Sequence, residues 1–331
     1  MGFLKANLLL FCVAAGLALA WMAPEAGRHL AALGMVQVLV VCTFLLLGFG
    51  LDTTRRASGG ELSRAMIWGL VISQVAGPVV GVVTARIFAW DLGDQVGFII
   101  KCCMAPTFVS GAVLAQRAKG DFPLALMLAV GINALAVFTI PYALAITLGA
   151  EVHIAILPLL LKMVGLVLVP ALAGQALRRA RPGWVAPSAV FVKYAPQAAL
   201  GLVIYLSISL KVEHFLAVSA SRLLSLAWAA ALAHGSLLAL SYLGARWLLR
   251  LPEPACRSGA LVCAQKSLPL AVAVWTMAFA DRFPGALVPA MVFHPLQIFM
   301  GGALAGWWAR RRGGAGEQAA CLSGVPSGRD E

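Results

Sequence analysis

Residues 97–121 are apolar enough to lie in a membrane, yet they cannot form one continuous helix. Pro106 and Thr107 interrupt the stretch near its middle, and Ser110 and Gly111 follow shortly after. Because proline lacks a backbone donor and clashes with the preceding turn, a helix kinks or breaks there. Inside a bilayer, broken backbone persists only where protein or a water-filled cavity satisfies the freed polar groups. The stretch therefore predicts a discontinuous membrane helix.

A second apolar stretch, residues 256–280, is interrupted in the same way by Gln265, Lys266, Ser267 and Pro269. Two interrupted hydrophobic segments, placed at corresponding positions in two halves of a chain, are typical of the substrate site of a secondary transporter. The pair therefore indicates both where the halves correspond and where a substrate binds.

The composition excludes a soluble protein. Hydrophobic residues make up 61% of the chain and charged residues 11%, with a mean hydropathy of +0.91, whereas soluble domains carry roughly 25% charged residues. The net charge of +12 does not indicate nucleic-acid binding, because the basic residues are spread between apolar segments. The seven cysteines show no C-x-x-C spacing, so neither a disulfide framework nor a zinc site is predicted.

Ten spans are predicted, because a membrane helix needs about 20 mostly apolar residues and polar or Pro/Gly clusters separate ten such segments. They are numbered in chain order: 5–22, 30–50, 64–88, 96–117, 122–147, 154–178, 187–210, 221–248, 257–280 and 285–308. Span 1 resembles a cleavable signal peptide, but we expect it to be retained as a helix. We expect one transporter domain, residues 1–312, and a disordered cytoplasmic tail, residues 313–331.

Arginine and lysine counts predict the orientation. The N-terminus, the C-terminus and the loops on their side carry sixteen basic residues, and the opposite loops carry five. The positive-inside rule then places both termini in the cytoplasm, in a bacterial inner (plasma) membrane. Ten spans divide into two groups of five, and an odd number per half inverts the second half, so spans 4 and 9 correspond. The expected fold class is an all-α polytopic membrane protein with two inverted five-helix repeats.

Four lysines lie within the spans, namely Lys101, Lys162, Lys193 and Lys266, whereas none of the 13 acidic residues does. A central lysine costs about 2.5–3.5 kcal/mol on insertion scales. The first three lie near enough to span ends for their side chains to reach an interface, and we expect them to do so. Lys266 lies about ten residues from either end of span 9, so we assign it a functional role.

Further polar residues lie at depth on the spans that flank the two interrupted ones. Each taken alone fits a helix–helix contact, but their common position also favours a binding site. His234 in span 8 is interpreted as a packing residue. The predicted substrate- and ion-binding set is Pro106, Thr107, Ser110, Gln74, Asn133, Gln265, Lys266, Ser267, His294 and Gln297.

At these residues the chain resembles the bile acid:sodium symporter family, in particular its bacterial symporter-like branch, and the resemblance extends over all ten spans. The stretches that carry it are residues 105–112, 118–121, 264–268 and 293–297, together with Gln74 and Pro78. The resemblance implies discontinuous helices 4 and 9 that cross inside a core of spans 3, 4, 5, 8, 9 and 10. It also implies a panel of spans 1, 2, 6 and 7, an organic anion in the crevice between panel and core, and alternating access.

The chain departs from the sodium-coupled members of that family. They carry a glutamate four residues before the span-9 glutamine, where this chain has Leu261. Their span-4 Ser-Asn pair aligns with residues 111–112, and their span-5 oxygen ligands with Ala125 and Ala129. Sodium needs several hard oxygen ligands. We therefore expect at most an incomplete sodium site around Gln74 and Gln265, and no other metal site.

One hypothesis is that Lys266 replaces the missing sodium as a tethered cation, which would make transport independent of sodium and allow Lys266 to exchange its proton during the cycle. The alternative is that Lys266 stays charged and attracts an anionic substrate, assisted by half-helix N-termini at Thr107 and Ser267. The coupling ion is then sodium or a proton, and no cofactor is expected. The expected partners are a small organic anion (bile-acid-like or another carboxylate or sulfonate) and the lipid bilayer. No nucleic acid is expected, and the oligomeric state stays open.

Two other functions fit parts of the sequence. An arsenite-type exporter, or an exporter of another metabolite in the same superfamily, would give a role to the adjacent Cys102 and Cys103. An intramembrane enzyme could use Ser110, Ser267 and the span histidines, but no G-x-S-x-G or H-E-x-x-H motif is present. We therefore expect a transporter and not an enzyme.

Overall fold

The computed structural model describes residues 8–50, 59–88, 90–107, 110–149, 152–210, 212–216 and 218–323, and no β-strand occurs in them. The α-helices are α1 (Leu8–Met22), α2 (Pro24–Ala32), α3 (Met35–Gly50), α4 (Gly59–Leu70), α5 (Gly77–Phe88), α6 (Leu92–Cys103), α7 (Ser110–Arg117), α8 (Phe122–Leu148), α9 (Ile156–Met163), α10 (Val169–Ala180), α11 (Val185–Ser209), α12 (Val212–Leu216), α13 (Ala220–Leu243), α14 (Glu253–Cys263), α15 (Leu268–Ala278) and α16 (Leu287–Ser323). The structure also has three π-helical turns. Val71–Ala76 joins α4 to α5, and Val164–Leu168 joins α9 to α10. Gly244–Leu248 extends α13. Short 3₁₀ turns, Pro182–Trp184 and Pro284–Ala286, precede α11 and α16.

Within the described residues, six helices are long and apolar enough to cross a membrane, and two bent pairs raise the number to eight. They coincide with eight of the ten predicted spans. The first predicted span is represented by the 15 residues of α1, and the fourth by the two short helices α6 and α7. Both fall short of the roughly 20 residues that a straight span needs.

The two predicted interruptions are present. After α6 the chain is non-helical through Thr107, and α7 begins at Ser110. After α14 it is non-helical from Gln265 to Ser267, and α15 begins at Leu268. Pro269 then occupies the second position of α15, where its missing N–H would have no helical partner in any case.

The helices pack in two groups. Helices α1, α3, α9–α10 and α11 lie mainly against one another and form the four-helix group. Helices α4–α5, α6–α7, α8, α13, α14–α15 and α16 form the six-helix group, in which α14 contacts α7, α8 and α13, and α16 contacts α6, α7 and α13. The short helix α2 packs on α11. The interrupted helices lie inside the six-helix group, surrounded by its continuous helices.

Two hydrophobic clusters show where the groups meet. One cluster joins Phe44 and Ile204 of the four-helix group to Ile140 and Trp275 of the six-helix group. A second cluster, which includes Leu237, consists of buried residues from the six-helix group alone, as far as the structure is described. The groups are therefore packed together at the end that contains the α8–α9 and α15–α16 connections.

The last helix differs from the sequence expectation. Helix α16 continues to Ser323, so residues 313–323 are helical where the whole tail was expected to be disordered. Alanine, glutamate, glutamine and leucine in this stretch favour helix, its three glycines do not, and no proline occurs before Pro326. Residues 324–331 lie outside the described residues, as do residues 1–7 at the predicted start of span 1.

Candidate functional site

The two helix breaks touch through their backbones. The N–H of Ser267, in the second break, donates a hydrogen bond of 2.9 Å to the carbonyl oxygen of Ala105, in the first. The Ser267 side chain also accepts a hydrogen bond from Leu270 N, so it is the N-cap of α15, as the predicted half-helix start requires. The breaks therefore form a single crossing point within the six-helix group.

Thr107 and Ser110 stabilise the start of α7 on the other side of this crossing. Ser110 Oγ donates to Thr107 Oγ1 over 2.6 Å, and the N–H of Gly111 donates to the same threonine oxygen over 3.3 Å. Ser110 Oγ is also 3.4 Å from Gln265 Oε1, in the opposite break. These predicted site residues are thus brought together.

Asn133 of α8 satisfies a carbonyl that the first break leaves free. Its Nδ2 donates to Pro106 O over 2.9 Å and to Ala129 O over 2.7 Å, and the residue is buried. A buried carbonyl without a donor costs about 1–3 kcal/mol. Asn133 therefore stabilises the non-helical backbone of the first break.

Gln297 of α16 replaces the backbone partners that Lys266 loses in the second break. The N–H of Lys266 donates to Gln297 Oε1 over 2.9 Å, and Gln297 Nε2 donates to Lys266 O over 2.8 Å. Gln297 Nε2 also lies 2.9 Å from Nδ1 of His294. Because Gln297 Nε2 can only donate, Nδ1 of His294 accepts, and its proton lies on Nε2. That Nε2 has no hydrogen-bond partner within the described residues.

The Lys266 side chain is fully buried, and its ammonium lies against the π-helical turn between α4 and α5. Its Nζ donates to Ser73 O over 2.8 Å and lies 3.4 Å from Ser73 Oγ. In this turn Gly77 N donates to Ile72 O, five residues back. The same spacing would pair Ser73 O with residue 78, which is a proline without an N–H. Ser73 O is therefore left for Lys266.

A chain of polar contacts continues from Ser73 to the surface. Gln74 Nε2 donates to Ser73 Oγ over 3.2 Å, and Thr139 of α8 donates to Gln74 Oε1 over 2.7 Å. Gln74 is half-buried and Thr139 is exposed. The sequence did not identify Thr139, because a lone threonine in an apolar helix more often bonds to its own backbone. The glutamines Gln74 and Gln265 share no hydrogen bond in the described residues.

Lys101 corrects one sequence expectation. It was expected to reach an interface, but it is fully buried. Its Nζ donates to Lys266 O over 2.7 Å and lies 5.8 Å from the ring centroid of Phe293. The reason is the break: α6 ends two residues later at the crossing, so Lys101 lies at the end of α6 that meets the second break. Lys162 is exposed, as expected, and the side chain of Lys193 lies outside the described residues.

His234 also lies closer to the site than expected. It is fully buried, and its Nδ1 lies 3.2 Å from Ala264 O, at the start of the second break. A carbonyl only accepts, so Nδ1 carries the proton, and Nε2 has no partner within the described part of the chain. A single histidine in an apolar helix gives no sign in the sequence of the backbone that it faces.

The adjacent thiols Cys102 and Cys103 point in different directions. Cys102 packs against Gly81 of α5, whereas Cys103 Sγ lies 3.9 Å from Thr147 Oγ1 of α8. The described residues contain no group of three or more His, Cys, Asp or Glu that could hold a metal ion. The two adjacent thiols therefore do not face a common point. In the described residues the hydroxyl of Ser110 contacts Thr107 and Gln265, and that of Ser267 accepts from Leu270 N.

Comparison with known proteins gives one consistent result. The model of the SBF-like CPA transporter family matches residues 7–310. The probable sodium/metabolite cotransporter BASS4, chloroplastic, of Oryza sativa subsp. indica is 28% identical over 339 residues, which cover 94% of this chain and 77% of the relative. An uncharacterized protein of Pseudomonas aeruginosa is 32% identical over 236 residues, covering 70% of this chain and 69% of the relative. The Arabidopsis thaliana protein of the same BASS4 name is 30% identical over 230 residues, covering 65% and 52%.

Proposed function

The chain belongs to the SBF-like CPA transporter family, and from this premise we propose that it is a secondary transporter of a small organic anion that works by alternating access, with Lys266 in place of a coupling sodium. Membership makes the chain a membrane transporter. The substrate, the ion and the arrangement in the membrane are the parts that we propose.

We propose ten spans in two inverted repeats, with both termini in the cytoplasm of a bacterial cell, the four-helix group as panel and the six-helix group as core, within residues 1–312. Two ion pairs on α13 and its continuation support the inversion. Arg222 pairs with Asp94 over 2.6 Å near the start of α6, and Arg246 lies 3.5 Å from Glu253 at the start of α14. These arginines are 24 residues apart, about 36 Å along a helix. The interrupted helices therefore start at opposite ends of α13, as inverted repeats require.

The observation that carries sodium independence is the Lys266–Ser73 contact. A backbone carbonyl that has no N–H partner is a hard oxygen of the kind that sodium prefers. Here the ammonium group of Lys266 occupies it at 2.8 Å. The glutamate position of sodium-coupled members is Leu261, which is fully buried among apolar residues. Within the described residues the site thus has a cation of its own and no carboxylate at the Leu261 position to attract a second one.

The charge balance supports an anionic substrate. Lys101 and Lys266 are both fully buried, and in the described residues their ammonium groups bond to backbone carbonyls and the neutral Ser73 hydroxyl. The half-helices α7 and α15 direct N-terminal N–H groups towards the same crossing, and helix N-termini favour anions. An anion that reaches this point when panel and core separate would meet two lysine side chains and two helix N-termini, beside the carbonyl ends of α6 and α14.

A sodium-coupled carrier is the second candidate, because two of the relatives are named probable sodium/metabolite cotransporters. Gln74, Gln265 and Ser110 still supply oxygen atoms for such a site, although Gln74 and Gln265 have different partners here. Counterflow in proteoliposomes separates the two candidates. Pyruvate, isethionate and taurocholate serve as test anions, with gradients of sodium, of protons or of neither imposed.

Uptake of at least one anion that follows a proton gradient, or needs neither gradient, would support the proposal. A strict requirement for sodium would overturn sodium independence but keep the transporter. Uptake of arsenite in preference to every organic anion would overturn the substrate class.

A further inference from the structure

A cavity of about 200 Å³ lies where the two helix groups are packed together, between α9 and the end of α15. Three of its lining side chains are basic or can become so: His153, Lys162 and Arg282. By the proposed orientation this is the external end of the closed crevice. The candidate crossing residues do not line it, so the cavity is separate from the site described above.

Lys162 bridges the two groups at this cavity. Its Nζ, from α9, donates to Met277 O over 2.9 Å. Met277 is one of the last residues of α15, where carbonyls lack a partner within the helix and a cation is favourable. The Lys162 side chain is exposed, so a solute in the cavity can reach the same ammonium group. The contact therefore joins panel to core at a point that a ligand can compete for.

We propose that this cavity is an external binding site for a small carboxylate or sulfonate, and that Lys162 is a latch which the anion releases by taking the ammonium group from Met277 O. The proposal rests on the transport function and orientation proposed above. In the closed form Lys162 joins panel to core, and in the anion-bound form this hydrogen bond is lost, so the groups can separate externally.

The competition favours the anion for a physical reason. A carboxylate carries a full negative charge and attracts the ammonium group as an ion pair, whereas Met277 O offers only the partial charge of a carbonyl. Arg282 adds a second cation with a planar fork that suits carboxylates and sulfonates. Because the cavity is open to solvent, the charges are screened, which favours weak and rapidly reversible binding.

Cavity size limits the ligand. Pockets for drug-sized molecules measure about 300–1,000 Å³, so a cavity of about 200 Å³ accepts a small anion or only the charged end of a large one. The site would then act as a first filter on charge and size, ahead of the crossing point.

Spin-label distance measurements on the full-length protein in nanodiscs test the latch directly. Labels at Leu157→Cys on α9 and Asp281→Cys beyond α15 report the external opening, since both positions are exposed and neither lines the cavity. Cys12, Cys42 and Cys321 are replaced by serine first. Distances are recorded for Lys162→Met, the conservative Lys162→Arg, Arg282→Gln and the exposed control Arg86→Gln, with sodium pyruvate or sodium chloride at equal ionic strength.

We expect Lys162→Met to shift the distribution to longer distances without pyruvate, Lys162→Arg to restore the shorter distance, and Arg86→Gln to have no effect. Pyruvate should lengthen the distance in the unsubstituted background, and Arg282→Gln should abolish that response. Unchanged distances in Lys162→Met would overturn the latch, and the absence of a pyruvate response in the unsubstituted background would overturn the anion site.

Uptake separates failure of this proposal from failure of the transport function. If the protein takes up an anion but the label distance changes neither with Lys162→Met nor with pyruvate, the transport function stands and the latch proposal is wrong. A pyruvate-dependent distance change without uptake of any test anion would leave the site and remove the transport function.

Discussion

The ammonium group of Lys266 lies 2.8 Å from the carbonyl oxygen of Ser73, which its own helix cannot satisfy. The π-helical turn shifts the pairing by one residue, and the shifted partner of Ser73 is Pro78, which has no N–H. Two independent features of one helix therefore create an acceptor, and a lysine from another helix fills it. The backbone carbonyl of Ser73 therefore fixes the position of the Lys266 ammonium group at the crossing point, a role that a carboxylate would otherwise have.

Replacing Lys266 by Met keeps most of the apolar stem and removes the charge. We expect uptake of the transported anion to fall at least about tenfold, since an interaction worth about 1.4 kcal/mol in the rate-limiting step is a factor of ten. The measurement is counterflow in proteoliposomes, with Arg86→Met, an exposed cation far from the crossing, as the control. Wild-type uptake by Lys266→Met would remove Lys266 from the mechanism.

Sodium should have no specific effect on the stability of the unsubstituted protein. A ligand that binds only the folded state stabilises it by about 2.7 kcal/mol at a hundredfold excess over its Kd. We therefore expect the same melting temperature when sodium is titrated against potassium at fixed ionic strength. The Lys266→Met variant exposes Ser73 O to a competing cation, so sodium should raise its melting temperature relative to potassium. A sodium-specific rise in the unsubstituted protein would instead show that the incomplete ligand set still forms a sodium site.

Gly77 faces the same ammonium group, so a methyl group there tests its position. A Cβ at Gly77 would lie 2.6 Å from Lys266 Nζ and 2.7 Å from Cys102 O, and the latter is backbone and cannot easily move. Alanine usually stabilises a helix by up to about 1 kcal/mol relative to glycine. We expect Gly77→Ala to lower the melting temperature and uptake despite this gain. Gly60→Ala, at a glycine with no atom within 4 Å of the added Cβ, should be neutral or stabilising.

The breaks and the depth of Lys266 could be predicted from the sequence because they depend on local chemistry, on proline and on distance from the ends of a span. The role of Lys101 could not, because its burial depends on α6 ending beside the second break. Thr139 and His234 were also missed or undervalued. Their helices are apolar all round, and such helices carry no periodicity that indicates which face meets the crossing. The π-helical turn that frees Ser73 O leaves no comparable mark, and only the neighbouring Pro78 hints at it.

Gln297 should be essential for folding of the second break. Gln297→Leu would leave both the N–H and the carbonyl of Lys266 without the Gln297 side chain, and each buried group left unpaired costs about 1–3 kcal/mol. Lys101 still donates to the carbonyl, so the N–H carries most of the cost. We expect a clear drop in the melting temperature of the detergent-solubilised protein. Gln37→Leu, at an exposed glutamine of α3, supplies the control, and an equal effect of the two substitutions would contradict the assignment.

Thr139 is the exposed end of the polar chain that leads through Gln74 and Ser73 to Lys266, so its hydroxyl should matter for transport more than for stability. Thr139→Val preserves the shape of the side chain and removes the hydrogen bond to Gln74 Oε1. Because Thr139 is exposed, the melting temperature should change little. The freed Gln74 would hold Ser73 less firmly, so we expect a severalfold loss of uptake and an altered dependence of uptake on external pH. Thr276→Val is the matched control, because the Thr276 hydroxyl bonds only to Val272 O of its own helix among the contacts described. Equal uptake by Thr139→Val and Thr276→Val would show that the functional part of the polar chain ends at Gln74.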